Sequence, residues 1–172
     1  KPIQHIDDKE GEIALCILSA INLGLLTDID ELEELCDLSV RALDEIIDYQ
    51  EYPVEAAKIS TQARRSLGIG YIGLAHYLAK NQVSYESKAA LKIVDKVTEA
   101  FQYFLLKASN NLAKEKTKCT WFEKTKYSDG ILPIDTYKKE VDDIVSRKLT
   151  YDWEWLRKEI KEHGLRHSTL SA

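Results

Sequence analysis

The feature that most constrains the fold of this chain is a long amphipathic segment that begins near Ser84 and ends near Lys116. Its apolar residues recur at the spacing of one helical face: Ala90, Val94, Val97, Phe101, Leu105, Ala108 and Leu112. This periodicity predicts a single helix of about eight turns, with Ser84 as a candidate N-cap. The chain is therefore expected to be mostly helical.

Segments on both sides of this helix predict a strand near each end of the chain and further helices between the strands. The apolar stretch 11–24 predicts a buried strand over 13–18, and the closing stretch 165–172 predicts a second strand. The first helix is predicted to begin at Asp28 or Asp30. Its predicted apolar face comprises Leu32, Leu35, Leu38, Ala42 and Ile46. Further helices are predicted over 54–64, 71–80, 134–145 and 152–163.

Three glycines, Gly68, Gly70 and Gly73, have the G-x-G-x-x-G spacing of a dinucleotide-binding turn. Such a turn must follow a buried strand and open a helix, and an acidic residue about 20 residues further on must reach the ribose. The residues before Gly68 favour helix, and the acidic candidate, Asp95, lies in the middle of the long predicted helix. We therefore interpret the glycines as residues that let a helix begin or cross another helix closely.

Length and composition narrow the possible functions further. The chain has 172 residues, which suits one domain, and its net charge of −5 argues against nucleic-acid binding as its main role. No apolar run approaches the roughly 20 residues of a membrane span. The three cysteines, Cys16, Cys36 and Cys119, form no C-x-x-C pair, so a disulfide scaffold or a zinc knuckle is not expected and a cytoplasmic location is the default.

The residues alone do not complete an active site. Cys16 lies in an apolar stretch and reads as a buried, inert side chain, although a reactive thiol with a partner remains the alternative. Cys36 reads as a core residue. His163 and His167 have the i, i+4 spacing of a helical metal pair, but Gly164 should end the helix between them, so we interpret both as surface histidines.

Five stretches, taken together and in order, resemble one enzyme family. They are GEIALCILSAINLG, RRSLGIGYIGLAHYLAK, LLKASNNLAKEK, GILPIDTYKK and YDWEWLRKEIKEHGLRHSTLSA. The chain is similar over essentially its whole length to the large (α) subunit of class I aerobic ribonucleoside-diphosphate reductases of the bacterial or bacteriophage type. In that family the LGIG glycines belong to a structural turn between helices.

The resemblance implies a fold and a place within it. The family builds a ten-stranded α/β barrel from two five-stranded halves. Residues 1–172 would be a single segment of that catalytic barrel, mainly α when taken alone, with two strands and the helices between them. Both ends of the segment look truncated. Outside the barrel, the segment would expose apolar faces and strand edges, so we expect it to be marginally stable or to self-associate.

The resemblance also implies an activity, the reduction of ribonucleoside diphosphates to 2′-deoxyribonucleoside diphosphates by radical chemistry. A cysteine pair is the reductant, and Cys16 matches its C-terminal member. The implied partners are the rest of the large subunit, the small subunit, the ribonucleoside diphosphate, and thioredoxin or glutaredoxin. The parent enzyme depends on the metal-radical cofactor of the small subunit and on nucleotide effectors. This segment itself is expected to hold no cofactor or metal, and no nucleic acid or membrane is expected as a partner.

The sequence departs from the family pattern in ways that limit the segment. The family's N-x-C-x-E segment, with the radical cysteine, lies upstream of Lys1, and its substrate-phosphate loop follows Ala172. We therefore expect the segment alone to be inactive. His167 stands where the family usually has asparagine. A non-catalytic helical fragment that binds other proteins is the alternative, and the retention of Cys16 within ALCILSA favours the enzyme segment.

Overall fold

A computed structural model describes residues 11–144 and 148–172 of the chain. Its helices and strands follow the order β1 (Ile17–Asn22), α1 (Glu31–Tyr49), α2 (Glu55–Arg64), β2 (Leu67–Ile72), α3 (Leu74–Lys80), α4 (Lys88–Lys116) and α5 (Trp153–His163). Short 3-10 turns join several of them. The mostly helical architecture expected from the sequence is thereby confirmed. None of the helices in these two ranges combines the length and the apolar character that crossing a bilayer requires.

Helix α4 is the central element of the core and matches the predicted long helix. All members of its predicted apolar face are buried except Val94, which is partly exposed. The N-cap is Ser87 and not Ser84: Ser87 Oγ accepts a hydrogen bond from Ala90 N at 3.1 Å. Ser84 contributes only its carbonyl oxygen, which accepts from Ser87 Oγ at 2.7 Å. The helix therefore begins one turn later than its sequence suggested.

Helix α1 packs against α4 with a face that differs from the predicted one. Its buried apolar residues are Leu32, Cys36, Val40, Leu43 and Ile47. Of the predicted face, Leu38 is 55% exposed and Ile46 is 41% exposed. Leu32 of the predicted face is buried and Leu35 packs against the core. The prediction was wrong for the rest of that face, because contact with α4 and β1 selects a different apolar stripe there.

Strands β1 and β2 pair in parallel, with Ile17 opposite Leu67 and Leu18 opposite Gly68. Alternate residues point to opposite faces of a sheet, and Ile21, Leu67 and Ile69 are buried towards the helices. The first strand was predicted over 13–18 but begins at Ile17. Residue 13 instead donates its backbone N–H to the Ala56 carbonyl at 3.3 Å, which ties it to helix α2.

Strand β2 was missed by the sequence analysis, because it contains two of the three glycines. Gly68 and Gly70 lie inside the strand, so the interpretation as a turn between helices is wrong for them. Gly73 does open helix α3, with φ of 74°. A Cβ atom on Gly73 would clash with Asn22 Oδ1, so the side chain at the end of β1 fills the space beside this glycine.

Two further predictions are corrected in the C-terminal half. The closing stretch forms no regular strand, although it runs beside β2: Leu67 N donates to the Thr169 carbonyl at 2.9 Å, and Ser171 forms a parallel bridge with Ile69. The helix predicted over 134–145 is absent from the described residues, which form 3-10 turns at Pro133–Asp135 and Lys139–Asp143. Residue 145, at the end of that prediction, lies outside the described ranges. Helix α5 is confirmed and ends before Gly164.

Candidate functional site

Cys16 lies immediately before strand β1 and is exposed. The next residue, Ile17, donates its backbone N–H to the Ser66 carbonyl at 3.2 Å, which fixes this end of β1 against the segment that leads into β2. The expectation of a buried thiol, drawn from the apolar residues around Cys16, is therefore wrong. The reason is the direction of the side chain. Ile17 and Ile21 point towards the helices, whereas Cys16 lies on the opposite face of the sheet, as Leu18 does.

The surroundings of Cys16 are small and apolar. A Cβ atom built on Gly68 would lie 3.6 Å from Cys16 Sγ, 2.6 Å from Leu18 Cδ2 and 3.7 Å from Ala172 Cβ. Leu18 is 67% exposed, on the sheet face away from the helices. The thiol of Cys16, the backbone of Gly68 and the methyl group of Ala172 thus lie close together on the open face of the sheet.

The other two cysteines have a different environment. Cys36 is fully buried, with Sγ 3.9 Å from the Phe101 carbonyl oxygen, and burial raises the pKa of its thiol to about 12. Cys119 is 2% exposed, and burial likewise raises the pKa of its thiol. Since the thiolate is the reactive form, both are protected from oxidation and alkylation. All three cysteines are free, and Cys16 alone among them is exposed.

A group of charged side chains, which we call the Asp44 cluster, surrounds the buried carboxylate of Asp44 on helix α1. It comprises Asp44, Asp48, Arg65, Lys116, Arg166 and His167. The Asp44 side chain is fully buried, and its Oδ1 accepts from Arg65 Nε at 2.6 Å and lies 3.2 Å from Arg166 Nε. Arg65 also forms two hydrogen bonds of 2.8 Å to Asp48.

The electrostatics of the cluster favour a charged Asp44. Burial opposes the carboxylate form, but hydrogen bonds from His167 and Arg65 outweigh it and hold the pKa of Asp44 well below its usual range. The cluster also has a positional effect. Arg65 stands just before β2 and Arg166 lies near the start of the closing stretch, so helix α1 anchors the strand that contains Gly68 and the stretch beside it.

His167 belongs to this cluster and is fully buried, contrary to the expectation of a surface residue. Its Nε2 lies 3.1 Å from Asp44 Oδ1, and its Nδ1 lies 2.9 Å from Ser109 Oγ. Burial lowers the pKa of His167, against the opposite pull of Asp44. In the neutral ring that this lowered pKa favours, Nε2–H donates to the Asp44 carboxylate.

His163 and His167, whose spacing is that of a helical metal pair, do not face each other in the structure. His163 is exposed at the end of α5, and His167 faces Asp44. In the described part of the chain, one group of possible ligands does come together, formed by Glu159, Glu162 and His163. Glu159 is paired with Lys114, and exposed acidic groups of this kind are common without a bound ion.

Sequence reasoning overlooked the Asp44 cluster, although one signal was present. Asp44 follows Val40 by four residues and Cys36 by eight, so it continues the buried stripe of α1. A carboxylate on a buried stripe must have cationic partners, because an unpaired buried charge is very costly. The identity of those partners could not be read from the sequence, since Arg65 and Arg166 are distant along the chain.

Comparison with known proteins gives a consistent result. The family model described as the barrel domain of ribonucleotide reductase matches residues 3–172. The chain is 59% identical over 172 residues to the ribonucleoside-diphosphate reductase subunit alpha of Buchnera aphidicola subsp. Schizaphis graminum, covering 22% of that protein. It is 60% identical over 172 residues to the same subunit of Haemophilus influenzae, covering 23% of it.

A more divergent relative shows the same pattern. The subunit alpha of Enterobacteria phage T4 is 43% identical over 173 residues, which include 99% of this chain and 22% of the phage protein. The chain thus spans less than a quarter of the length of these relatives, and the match extends over almost all of the chain. This chain belongs to the ribonucleotide reductase barrel-domain family.

Proposed function

We propose that this chain is a single segment of the catalytic barrel of a ribonucleotide reductase large subunit and that Cys16 is one of its two redox cysteines. The observation that carries the proposal is the environment of Cys16. The thiol within GEIALC is exposed on the open face of the parallel sheet, whereas Cys36 and Cys119 are buried. Parallel sheets usually have both faces covered, so a face left open here suits the interior of a closed barrel.

In the proposed reaction, Cys16 acts together with a second cysteine from another part of the large subunit. Each thiol gives up one hydrogen, and the two sulfurs join as a disulfide. The ribose loses its 2′-hydroxyl as water and gains hydrogen in its place, so two electrons pass from the thiols to the sugar. The disulfide must then be reduced by thiol exchange before another turnover, which requires access for an external dithiol.

The remaining parts of the proposal come from the resemblance to the family. The whole large subunit would act on ribonucleoside diphosphates in the cytoplasm with a radical-generating small subunit, and nucleotide effectors would regulate it. Thioredoxin or glutaredoxin would reduce its disulfide. The metal-radical cofactor would reside in the small subunit. The segment alone would be inactive, because it contains one redox cysteine and its partner must come from another part of the large subunit.

The proposal is tested in the complete large subunit that contains this segment. Pre-reduced enzyme receives a ribonucleoside diphosphate and its small subunit without external reductant, and after one turnover the free thiols are alkylated and mapped by mass spectrometry. We expect Cys16 to be protected and linked to a second cysteine in proportion to the deoxynucleotide formed. Cys36 and Cys119, alkylated only after unfolding, serve as internal references for thiols outside the reaction.

Two results would count against the proposal. If deoxynucleotide forms while Cys16 remains fully alkylatable, Cys16 is not the reductant. If Cys16→Ser supports repeated turnover with a dithiol at the wild-type rate, the redox assignment is also wrong. If either result is obtained and this segment still binds the other parts of the large subunit, the alternative of a non-catalytic interaction segment is favoured.

A further inference from the structure

We propose that Gly68 is a positioning residue for Cys16, and that its missing side chain keeps free the space in which the thiol and Leu18 lie. This inference rests on the proposed redox role of Cys16 and extends it to the neighbouring strand. It concerns a residue that lies beside the thiol side chain and acts through it, without itself taking part in the chemistry.

The first step of the argument is that glycine at position 68 has no backbone explanation. Glycine inside a strand costs stability because it is flexible and has no side chain to pack. Positive φ values among the described glycines occur only at Gly73, Gly130 and Gly164. Since Gly68 has ordinary strand geometry, any residue could adopt its backbone conformation, and the reason for glycine must be space.

The second step is that neighbouring side chains already occupy the space next to Gly68. Gly68 is buried although it lies on the open face of the sheet, because its neighbours lie over it. An added Cβ would lie 2.6 Å from Leu18 Cδ2, closer than real atoms approach, and 3.6 Å from Cys16 Sγ, which is ordinary contact distance. Alanine would therefore displace Leu18, and a branched side chain would extend further into the space around the thiol.

The third step is that the strand cannot shift to relieve such a contact. Strand β2 is paired with β1 on one side and is bonded to the closing stretch on the other. On that second side, Leu67 N donates to Thr169 O at 2.9 Å and Ile69 N donates to Leu170 O at 2.8 Å. The backbone of Gly68 is thus held between two neighbours, so an added Cβ is accommodated by movement of the exposed Leu18 side chain, and only a larger side chain also crowds the Cys16 thiol.

The chain provides a matched control two residues further along the same strand. Gly70 lies on the same face, opposite Ala20, and a Cβ atom there would have Ala172 Cβ, at 3.9 Å, as its nearest neighbour. The same substitution at Gly70 therefore changes the strand in the same way without crowding the thiol.

The experiment compares Gly68→Ala and Gly68→Val with Gly70→Ala and Gly70→Val in the complete large subunit. The first readout is the rate at which iodoacetamide alkylates Cys16 in the reduced protein, which needs no substrate or small subunit. We expect Gly68→Val to slow this reaction about 10-fold, since its branched side chain extends from a position 3.6 Å from Cys16 Sγ and covers part of the thiol. Gly68→Ala should have a smaller effect in the same direction, and both Gly70 variants should match wild type.

The second readout is the Cys16 disulfide formed in a single turnover, which should fall in the same order. Continued protection of Cys36 and Cys119 from iodoacetamide shows that each variant is folded. If Gly68→Val does not fold, the comparison of Gly68→Ala with Gly70→Ala still tests the proposal. The inference is overturned if the Gly68 variants alkylate as fast as the Gly70 variants. Failure of the proposed function is a separate result, because it appears in wild type as product formed without oxidation of Cys16.

Discussion

At the scale of single residues, Asp44 organises the buried charges of this chain. It is fully buried and contacts Arg65, Arg166, Lys116 and His167. Removing one member of a buried ion pair leaves the other uncompensated, which costs about 3–5 kcal/mol. We therefore expect Asp44→Asn to reduce the free energy of unfolding by about that amount, as measured by urea denaturation followed by far-UV circular dichroism.

Asp48→Asn is the control for this prediction. Asp48 also binds Arg65, but its side chain is 50% exposed, so its loss should cost only about 1 kcal/mol or less. Equal losses in the two variants would show that burial of Asp44 does not determine its contribution.

The free energy of unfolding should depend on pH through His167. Because burial lowers its pKa in the folded chain, below about pH 6.5 the unfolded chain takes up a proton that the folded chain resists. The free energy of unfolding should therefore decrease as the pH falls from 7.5 to 5.5. The lowered pKa of Asp44 acts in a more acidic range, since its contribution is complete above about pH 4 and is lost below it.

Replacement of His167 tests this assignment, with urea denaturation performed at pH 7.5 and 5.5. His167→Asn should reduce the difference in unfolding free energy between the two pH values, because asparagine does not titrate. His163→Asn, at the exposed end of α5, should leave the difference unchanged. An unaltered pH dependence in His167→Asn would place its origin elsewhere.

At the scale of elements, two serines near the start of helix α4 differ in how they contribute to it. Ser87 caps the helix through Ala90 N, and Ser84 contributes only backbone. We expect Ser87→Ala to lower the free energy of unfolding by about 1 kcal/mol and Ser84→Ala to change it little. The urea midpoints of the two variants, compared at the same pH, make the measurement. A larger effect at Ser84 would mean that the helix begins where its sequence pattern suggested.

Strand β2 shows why one element could not be recognised from its own residues. Glycine has a low strand propensity, and Gly68 and Gly70 alternate with the buried residues Leu67 and Ile69. The strand is stabilised by β1 on one side and by hydrogen bonds to the closing stretch on the other. These partners are distant in the sequence, so local propensity indicated a turn where pairing produces a strand.

At the scale of the whole molecule, apolar side chains remain exposed on and near the sheet. Leu18 is 67% exposed, Leu25 is 72% exposed and Ile72 is 55% exposed. An apolar sheet face of this kind promotes association with other chains. We expect the 172-residue chain to self-associate at micromolar concentrations, as sedimentation velocity across a concentration series would detect.

Polar substitutions test which surface causes the self-association. Leu18→Ser combined with Ile72→Ser should reduce the association, whereas Leu38→Ser, on the exposed stripe of α1, should not. A monomer at every concentration, with one sharp unfolding transition, would contradict the prediction and show that the segment is stable without the rest of a barrel.

The sequence by itself determined most of the helices and the family. Periodicity located α4, Gly164 marked the end of α5, and the five motifs identified the ribonucleotide reductase family, which the comparisons confirm. These signals are local, because each depends on residues that are near one another in the chain.

Only the tertiary structure decided which apolar stripe of α1 is buried, that the glycines form β2, and that His167 lies against Asp44. It also placed the Cys16 side chain on the open face beside Gly68, whereas its apolar neighbours had suggested burial. Each of these features depends on contacts between residues that are far apart in the sequence. Side-chain pattern and propensity do not encode such contacts until the elements have packed together.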